Sequence, residues 1–132
     1  MITTLIVDDV PGLRRLVRYT LEDDGRFLVV GEAEDGLQAI ERARELRPRL
    51  VLLDLSMPKM DGLEALPSIL QVSPDSIVLV LSGFSEDRLG PIAGRFGAMG
   101  YIQKGVAPSE LLARILSLMG ETNGDVPASG LC

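Results

Sequence analysis

Five short apolar runs, separated by stretches with helical patterning, constrain this chain more than any other feature in it. They are Leu5 to Val7, Phe27 to Val30, Leu50 to Leu53, Ile77 to Leu81 and the weaker Tyr101-Ile102. Each has the length of a strand. The middle runs are almost unbroken in apolar side chains, the pattern of strands covered on both faces in a parallel sheet. Between them, Leu13, Leu16, Val17, Thr20 and Leu21 recur at helical spacing, with Arg14, Arg15, Arg18 and Glu22 on the opposite face. Leu37, Ile40, Ala43 and Leu46 form a second stripe, opened by Asp35 as N-cap and closed by Pro48. A last stripe runs from Pro108 to Met119, with Leu111, Leu112, Ile115 and Leu116 inward and Gly120 as the stop. Strand and helix alternate five times, which predicts an α/β fold: a doubly wound (βα)5 sandwich around a five-stranded parallel sheet. With 132 residues, 46% of them hydrophobic, the chain suits one domain with a real core. That domain is expected over residues 1–120, with "ETNGDVPASGLC", residues 121–132, as a flexible C-terminal tail or linker.

Much chemistry is excluded at once. The only cysteine is Cys132 and there is no histidine, so a disulfide framework, a Cys/His zinc site and a histidine-based triad are ruled out. The net charge is −6 and the basic residues are scattered, so no stripe of lysine and arginine offers itself to nucleic acid or to an anionic membrane. No apolar stretch approaches the roughly 20 residues that cross a bilayer, and the N-terminus lacks the pattern of a secretion signal. A cytoplasmic location is the expectation.

In doubly wound folds ligands bind beyond the carboxyl ends of the strands, where the winding changes direction. The residues at those ends are Asp8 and Asp9 after the first strand, Asp54 after the third, Ser82 after the fourth and Lys104 after the fifth. Three carboxylates at one rim repel one another unless a cation sits between them. Oxygen ligands that leave room for water suit Mg2+. Lys104 adds a fixed positive charge and Ser82 a hydroxyl donor. Phosphoryl transfer needs an in-line nucleophile and positive charge around the equatorial oxygens, which makes Asp54 the candidate nucleophile. The turn in "LLDLSMPKMDG" would leave a backbone carbonyl for the metal.

The segments "LIVDDVPGLRRLV", "GEAEDGLQAIERARELRPRLVLLDLSMPKMDGLEAL", "VLVLSGF" and "YIQKG" together resemble the receiver domain of bacterial two-component response regulators, over roughly residues 3 to 118. The resemblance implies a flavodoxin-like fold of the CheY type, with Asp54 accepting a phosphoryl group from a sensor histidine kinase or a phosphotransfer protein. It implies Mg2+ held by Asp9, Asp54 and the backbone carbonyl of Ser56, with Asp8 helping through water. Ser82 and Lys104 would contact the phosphoryl oxygens and Tyr101 would turn inward. The face of the fourth helix, fifth strand and fifth helix would signal to an output domain or effector protein, and a phosphorylation-linked homodimer is a further partner that the resemblance admits. The stretch from Gly31 to Leu66 is most similar to receivers of LuxR/NarL-type regulators, which carry a DNA-binding output domain. The chain is then a stand-alone receiver or a fragment of a longer regulator, and not a turnover enzyme.

Two positions depart from the family. Gly105 follows Lys104 where a cis proline is usual, which makes a cis bond there improbable while glycine keeps the turn tight. Gly83 replaces the common alanine and is expected to widen access to the phosphoryl site. Pro67 falls within the third expected helix and Gly90-Pro91, Gly94 and Gly97 within the fourth, so the fourth is expected to be short, broken or mobile. Asp9 could alternatively cap the first helix, and Met57, Met60, Met99 and Met119 are expected to pack. Among rival functions, a phosphatase with Asp54 as nucleophile would want an acid two residues on, where Ser56 stands. A flavin or nucleotide site is disfavoured by the acidic loop "DDVPG". A receiver-like interaction module that is never phosphorylated is the remaining alternative.

Overall fold

The computed structural model describes residues 1–120; the expected tail lies outside the described residues. Strands and helices alternate as β1 (Ile2–Val7), α1 (Pro11–Asp24), β2 (Phe27–Ala33), α2 (Gly36–Leu46), β3 (Leu50–Leu53), α3 (Gly62–Val72), β4 (Ile77–Ser82), α4 (Glu86–Arg95), β5 (Gly100–Gln103) and α5 (Pro108–Leu118). All strand pairs are parallel, in the order β2-β1-β3-β4-β5. The doubly wound (βα)5 sandwich is therefore as expected. The chain steps from β1 outward to β2, then crosses back to β3, so the switch point lies between β1 and β3.

The sheet separates two apolar layers. Ile6, Leu21, Phe27, Leu52, Leu79, Ile102 and Ile115 meet under α1 and α5. Leu5, Val51, Leu53, Ala65, Leu66 and Ile69 meet under α2 and α3. Successive residues of β3 thus enter opposite layers, and all four are buried. That accounts for the unbroken apolar run, because a strand covered on both faces has no solvent side to mark with polar residues.

Several helix faces differ from expectation. In α1 Leu16 is exposed, while Arg14 and Arg18 lie against β2 and pair with Glu32. Long arginine stems cover apolar surface while their heads reach a partner, so the helix is rotated from the stripe that leucines alone suggest. In α2 the buried residues are Gly36, Ala39 and Ala43, with Leu37 and Leu46 exposed. Small residues there let the helix sit close to the sheet. Asp35 caps α2 as expected, its side chain accepting from the Gln38 N–H. Met57 and Met60 pack against the α2/α3 layer and Met119 against the other, but Met99 is exposed.

Neither proline breaks its helix. Pro67 and Pro91 both face solvent within continuous helices, so each forfeits one backbone bond without wedging into the core. Helix α4 is short, at ten residues, yet unbroken. Ala93 packs in a third cluster with Leu55, Val80 and Tyr101, flanked by Leu89, and this tertiary packing outweighs poor local propensity. Gly97 and Gly105 take φ values of 114° and 107° that favour glycine, and no peptide bond among the described residues is cis.

Candidate functional site

Because β1 and β3 are neighbours in register, Val7 opposite Leu53, their next residues emerge side by side. The ladder extends into the loops: the Asp8 N–H bonds the Ala33 carbonyl, the Asp54 N–H bonds the Val7 carbonyl, and the Lys104 N–H bonds the Ser82 carbonyl. Hydrogen bonding continued from the sheet thus fixes the backbone at Asp8, Asp54, Ser82 and Lys104. The carboxylate oxygens of Asp8, Asp9 and Asp54 lie within 4.8 Å of one another. Asp8 and Asp54 are buried and Asp9 is exposed. A cleft of about 380 Å³ opens above them, lined by Asp9, Val10, Asp54, Ser56, Gly83, Phe84 and Lys104.

Lys104 reaches across the rim, with Nζ 2.8 Å from Asp8 Oδ2 and 3.4 Å from Asp54 Oδ2. Burial opposes its charge, yet the hydrogen bond to Asp8 and the charge of Asp54 outweigh that effect and raise its pKa above the ordinary lysine value. Burial also raises the pKa of Asp54; the nearby Lys104 ammonium lowers it and the Asp8 charge raises it, with a net rise. Burial prevails at Asp54 because the lysine's shorter contact is with Asp8. The Ser56 N–H adds a long bond to Asp54 Oδ1, at 3.4 Å. Ser56 itself stands exposed beside the cleft.

Three convergent carboxylates, one of them open to the cleft, are a hard oxygen donor set that fits a divalent cation of the Mg2+ type. The alternative assignment of Asp9 as a helix cap is corrected. The N-cap of α1 is Val10, and it is the Asp8 side chain that accepts from the Val10 N–H, leaving the Asp9 carboxylate toward the cleft.

Ser82 is fully buried at the end of β4, its hydroxyl accepting a 3.3 Å bond from the Phe84 N–H. Tyr101 is already turned inward: it is buried, and its hydroxyl donates to the Phe84 carbonyl at 2.9 Å. Burial raises the Tyr101 pKa; the Ser82 hydroxyl lowers it, while the charges of Asp54 and Glu86 add to the rise. All seven predicted residues, Asp8, Asp9, Asp54, Ser56, Ser82, Tyr101 and Lys104, thus lie around or directly behind one cleft.

Three further residues belong to the site's framework and escaped the reading of strand ends. Phe84 lines the cleft and receives the Tyr101 bond. Gly62, at the start of α3, passes so close under Asp54 that a Cβ there would lie 2.1 Å from the Asp54 carbonyl oxygen. Arg14 donates from Nη1 to the Asp8 carbonyl. A signal for Arg14 was present: Glu32 is the only charged residue in β2, and Arg14 and Arg18 are spaced to grip it from one helical face.

Comparison with known proteins gives one consistent result. Residues 4–116 match the response regulator receiver domain family. The chain is 38% identical over 104 residues to the chemotaxis protein CheY of Listeria monocytogenes, covering 79% of this chain and 87% of that protein. It is 41% identical over 105 residues to a protein-glutamate methylesterase/protein-glutamine glutaminase of Myxococcus xanthus, covering 79% of this chain and 30% of that protein. Among solved structures, CheY in a CheX-CheY-BeF3-Mg complex from Borrelia burgdorferi superposes with a TM-score of 0.84 at 27% identity, covering 89% of each chain. A LuxR-family two-component response regulator from Aurantimonas gives 0.83 at 29% identity, covering 99% of this chain and 92% of that one. The chain spans about half the length, or less, of several curated relatives it matches. No helix among the described residues is long and apolar enough to cross a membrane.

Proposed function

Since the chain belongs to the response regulator receiver domain family, we propose that it is the phosphoacceptor of a two-component pathway, with Asp54 as the residue that is phosphorylated. The observation that carries this reading is the buried Asp54 carboxylate at the floor of an open cleft, with an ammonium and two further carboxylates converging on it. In the transfer, an Asp54 carboxylate oxygen attacks the donor phosphorus and the bond from phosphorus to the donor nitrogen breaks. The donor imidazole keeps that electron pair. Burial that raises the Asp54 pKa also makes its carboxylate more basic once ionised, which favours attack.

Asp9, Asp54 and the Ser56 carbonyl would hold Mg2+, with Asp8 behind them. When bound, the ion would neutralise charge developing on the phosphoryl oxygens. Lys104 serves the same end from the other side by exchanging its contact with Asp8 or Asp54 for a phosphoryl oxygen. The Ser82 hydroxyl, which accepts a long bond from the Phe84 N–H and lies beside the Tyr101 hydroxyl, can turn to donate to another. That movement would be felt by Tyr101, whose hydroxyl lies beside Ser82 and holds the Phe84 carbonyl. Arg114 of α5 in turn bonds the Tyr101 carbonyl and approaches Glu86 of α4. A rearrangement at Ser82 thus has a physical route to the face formed by α4, β5 and α5.

The phosphoryl donor would be a sensor histidine kinase or a phosphotransfer protein in the cytoplasm, and the recipient of the signal an output domain or effector. On this reading the chain consumes one phosphoryl group per switch and turns over no external substrate. The test is intact-mass analysis after incubation with acetyl phosphate and Mg2+, beside a chelated control and Asp54→Asn. One added phosphoryl group that requires both Mg2+ and Asp54 is the expected result. No addition, together with no binding of beryllofluoride, would overturn the proposal in favour of an unphosphorylated interaction module.

A further inference from the structure

We propose that Arg14 is a positioning residue for the metal site: anchored by Glu32, its guanidinium clamps the Asp8 carbonyl and so sets where the Asp8 and Asp9 carboxylates stand. This rests on the Mg2+ reading above and deepens it.

Asp8 is held at every polar atom it has. Its N–H bonds Ala33 of β2, its carbonyl accepts from Arg14, Oδ1 accepts from the Val10 N–H, and Oδ2 faces Lys104 at 2.8 Å. When Lys104 leaves to meet a phosphoryl group, only the first three anchors remain. Arg14 is the only side chain among them.

The clamp is itself braced. Arg14 Nε bonds Glu32 Oε1 at 2.8 Å, and Arg18, one turn further along α1, bonds Glu32 Oε2 at 2.7 Å. Arg18 also reaches the Val29 carbonyl. The Arg14 side chain is 14% exposed, so its fork is largely withdrawn from water and its bonds are better defined than those of a surface arginine. This lattice ties α1, the edge strand β2 and the turn after β1 together. Lysine could not replace it, because a single ammonium lacks the planar fork that serves Glu32 and the Asp8 carbonyl together.

Charge and geometry make opposite predictions at this position. A guanidinium bonded to the backbone carbonyl of a ligand residue repels an incoming divalent cation, so its removal should tighten Mg2+ binding if charge were its only contribution. If it positions the ligands, removal should weaken binding instead. Partners that orient a metal's ligands are commonly worth about 10-fold or more in affinity.

The experiment is Mg2+ titration by calorimetry of the unaltered chain, Arg14→Ala and Arg14→Lys, with thermal unfolding of each and acetyl phosphate phosphorylation at limiting and saturating Mg2+. Positioning predicts roughly 10-fold weaker Mg2+ binding for Arg14→Ala and a similar loss for Arg14→Lys. It also predicts phosphorylation that recovers at saturating Mg2+, which a general loss of folding would not give. Arg14→Lys keeps the charge and the long stem, so it tests the idea even where alanine compromises folding. Unchanged or tighter Mg2+ binding in Arg14→Ala, or full retention of affinity in Arg14→Lys, would overturn the inference alone. Absence of Mg2+ binding in the unaltered chain would overturn both it and the metal reading on which it rests.

Discussion

Two glycines near the starts of helices should respond to alanine with opposite signs. Gly62 opens α3 behind the Asp61–Glu64 capping box, and Gly12 is the second residue of α1. In open space, alanine at such a position stabilises by about 0.4–1 kcal/mol, because the unfolded chain loses freedom and a helix favours it. A Cβ at Gly12 would meet nothing within 4 Å, so Gly12→Ala should gain that amount. At Gly62 the same atom would lie 2.1 Å from the Asp54 carbonyl oxygen, 2.9 Å from its carbonyl carbon and 2.9 Å from Leu55 Cα. All three are backbone atoms that cannot swing aside. The approach must open to at least 3.4 Å for ordinary contact, which pulls the start of α3 away from the end of β3 and strains the 3.1 Å bond from the Gly62 N–H to the Leu55 carbonyl. Overpacking of this kind costs about 1–3 kcal/mol, and a lost hydrogen bond about 1 kcal/mol more. Set against the propensity gain, Gly62→Ala should be less stable by roughly 2–3 kcal/mol, a fall in Tm of about 6–12 °C for a domain of this size. Gly12→Ala should rise by about 1–4 °C. Urea unfolding followed by far-ultraviolet circular dichroism measures both. Because the backbone that must move carries Asp54, phosphorylation of folded Gly62→Ala should also slow. A Gly62→Ala chain as stable as the unaltered one would refute the contact and with it the claim that close helix approach sets the height of Asp54.

Asp54→Asn should stabilise the metal-free protein at neutral pH, since burial disfavours the Asp54 carboxylate and raises its pKa by more than the Lys104 ammonium lowers it. With its folded pKa raised above 3.8, Asp54 lowers stability progressively as pH rises from about that value through the raised one, so the advantage of the variant should vanish in acid; pH-dependent unfolding of the pair checks this. Lys104→Gln should lower metal-free stability by about 1–2 kcal/mol, discounted for a side chain that is 24% exposed, yet bind Mg2+ more tightly because it removes a competing cation. Calorimetric titration that finds weaker Mg2+ binding in this variant would contradict the competition. In the unaltered chain the stability contributed by the lysine pair should persist below pH 10.5 and fade only as pH rises through the raised Lys104 value, a loss that Lys104→Gln should not show.

The parts of this protein that could be read from sequence are those governed by burial alone. The unbroken run Leu50 to Leu53 could be read as an inner strand because both its faces are covered, and the charged residue straight after it could then only be at the sheet's rim. Once the winding order is known, Asp8, Asp54, Ser82 and Lys104 fall at one edge by topology, with no knowledge of side-chain contacts. What sequence did not reveal depends on how closely elements approach and how each helix is rotated. The stripe Leu13, Leu16, Val17, Thr20 and Leu21 admits two nearby rotations of the helix, one with Leu16 inward and one with Leu16 in solvent. The choice between them is made by Glu32, a single acid on a different element that draws Arg14 and Arg18 inward and leaves Leu16 in solvent. Likewise Pro91 argues for a broken α4 only while the helix is considered alone; against Val80 and Tyr101 the packing of Ala93 decides. Gly62 carries no local signature of its role, since the atom it must avoid belongs to the residue that ends β3. The chemistry of the cleft follows from the order of strands, whereas the precision of its geometry depends on contacts between elements such as Arg14 with Asp8 and Gly62 with Asp54. Substitutions at those contacts should therefore alter metal affinity and transfer rate although every predicted ligand residue is still present.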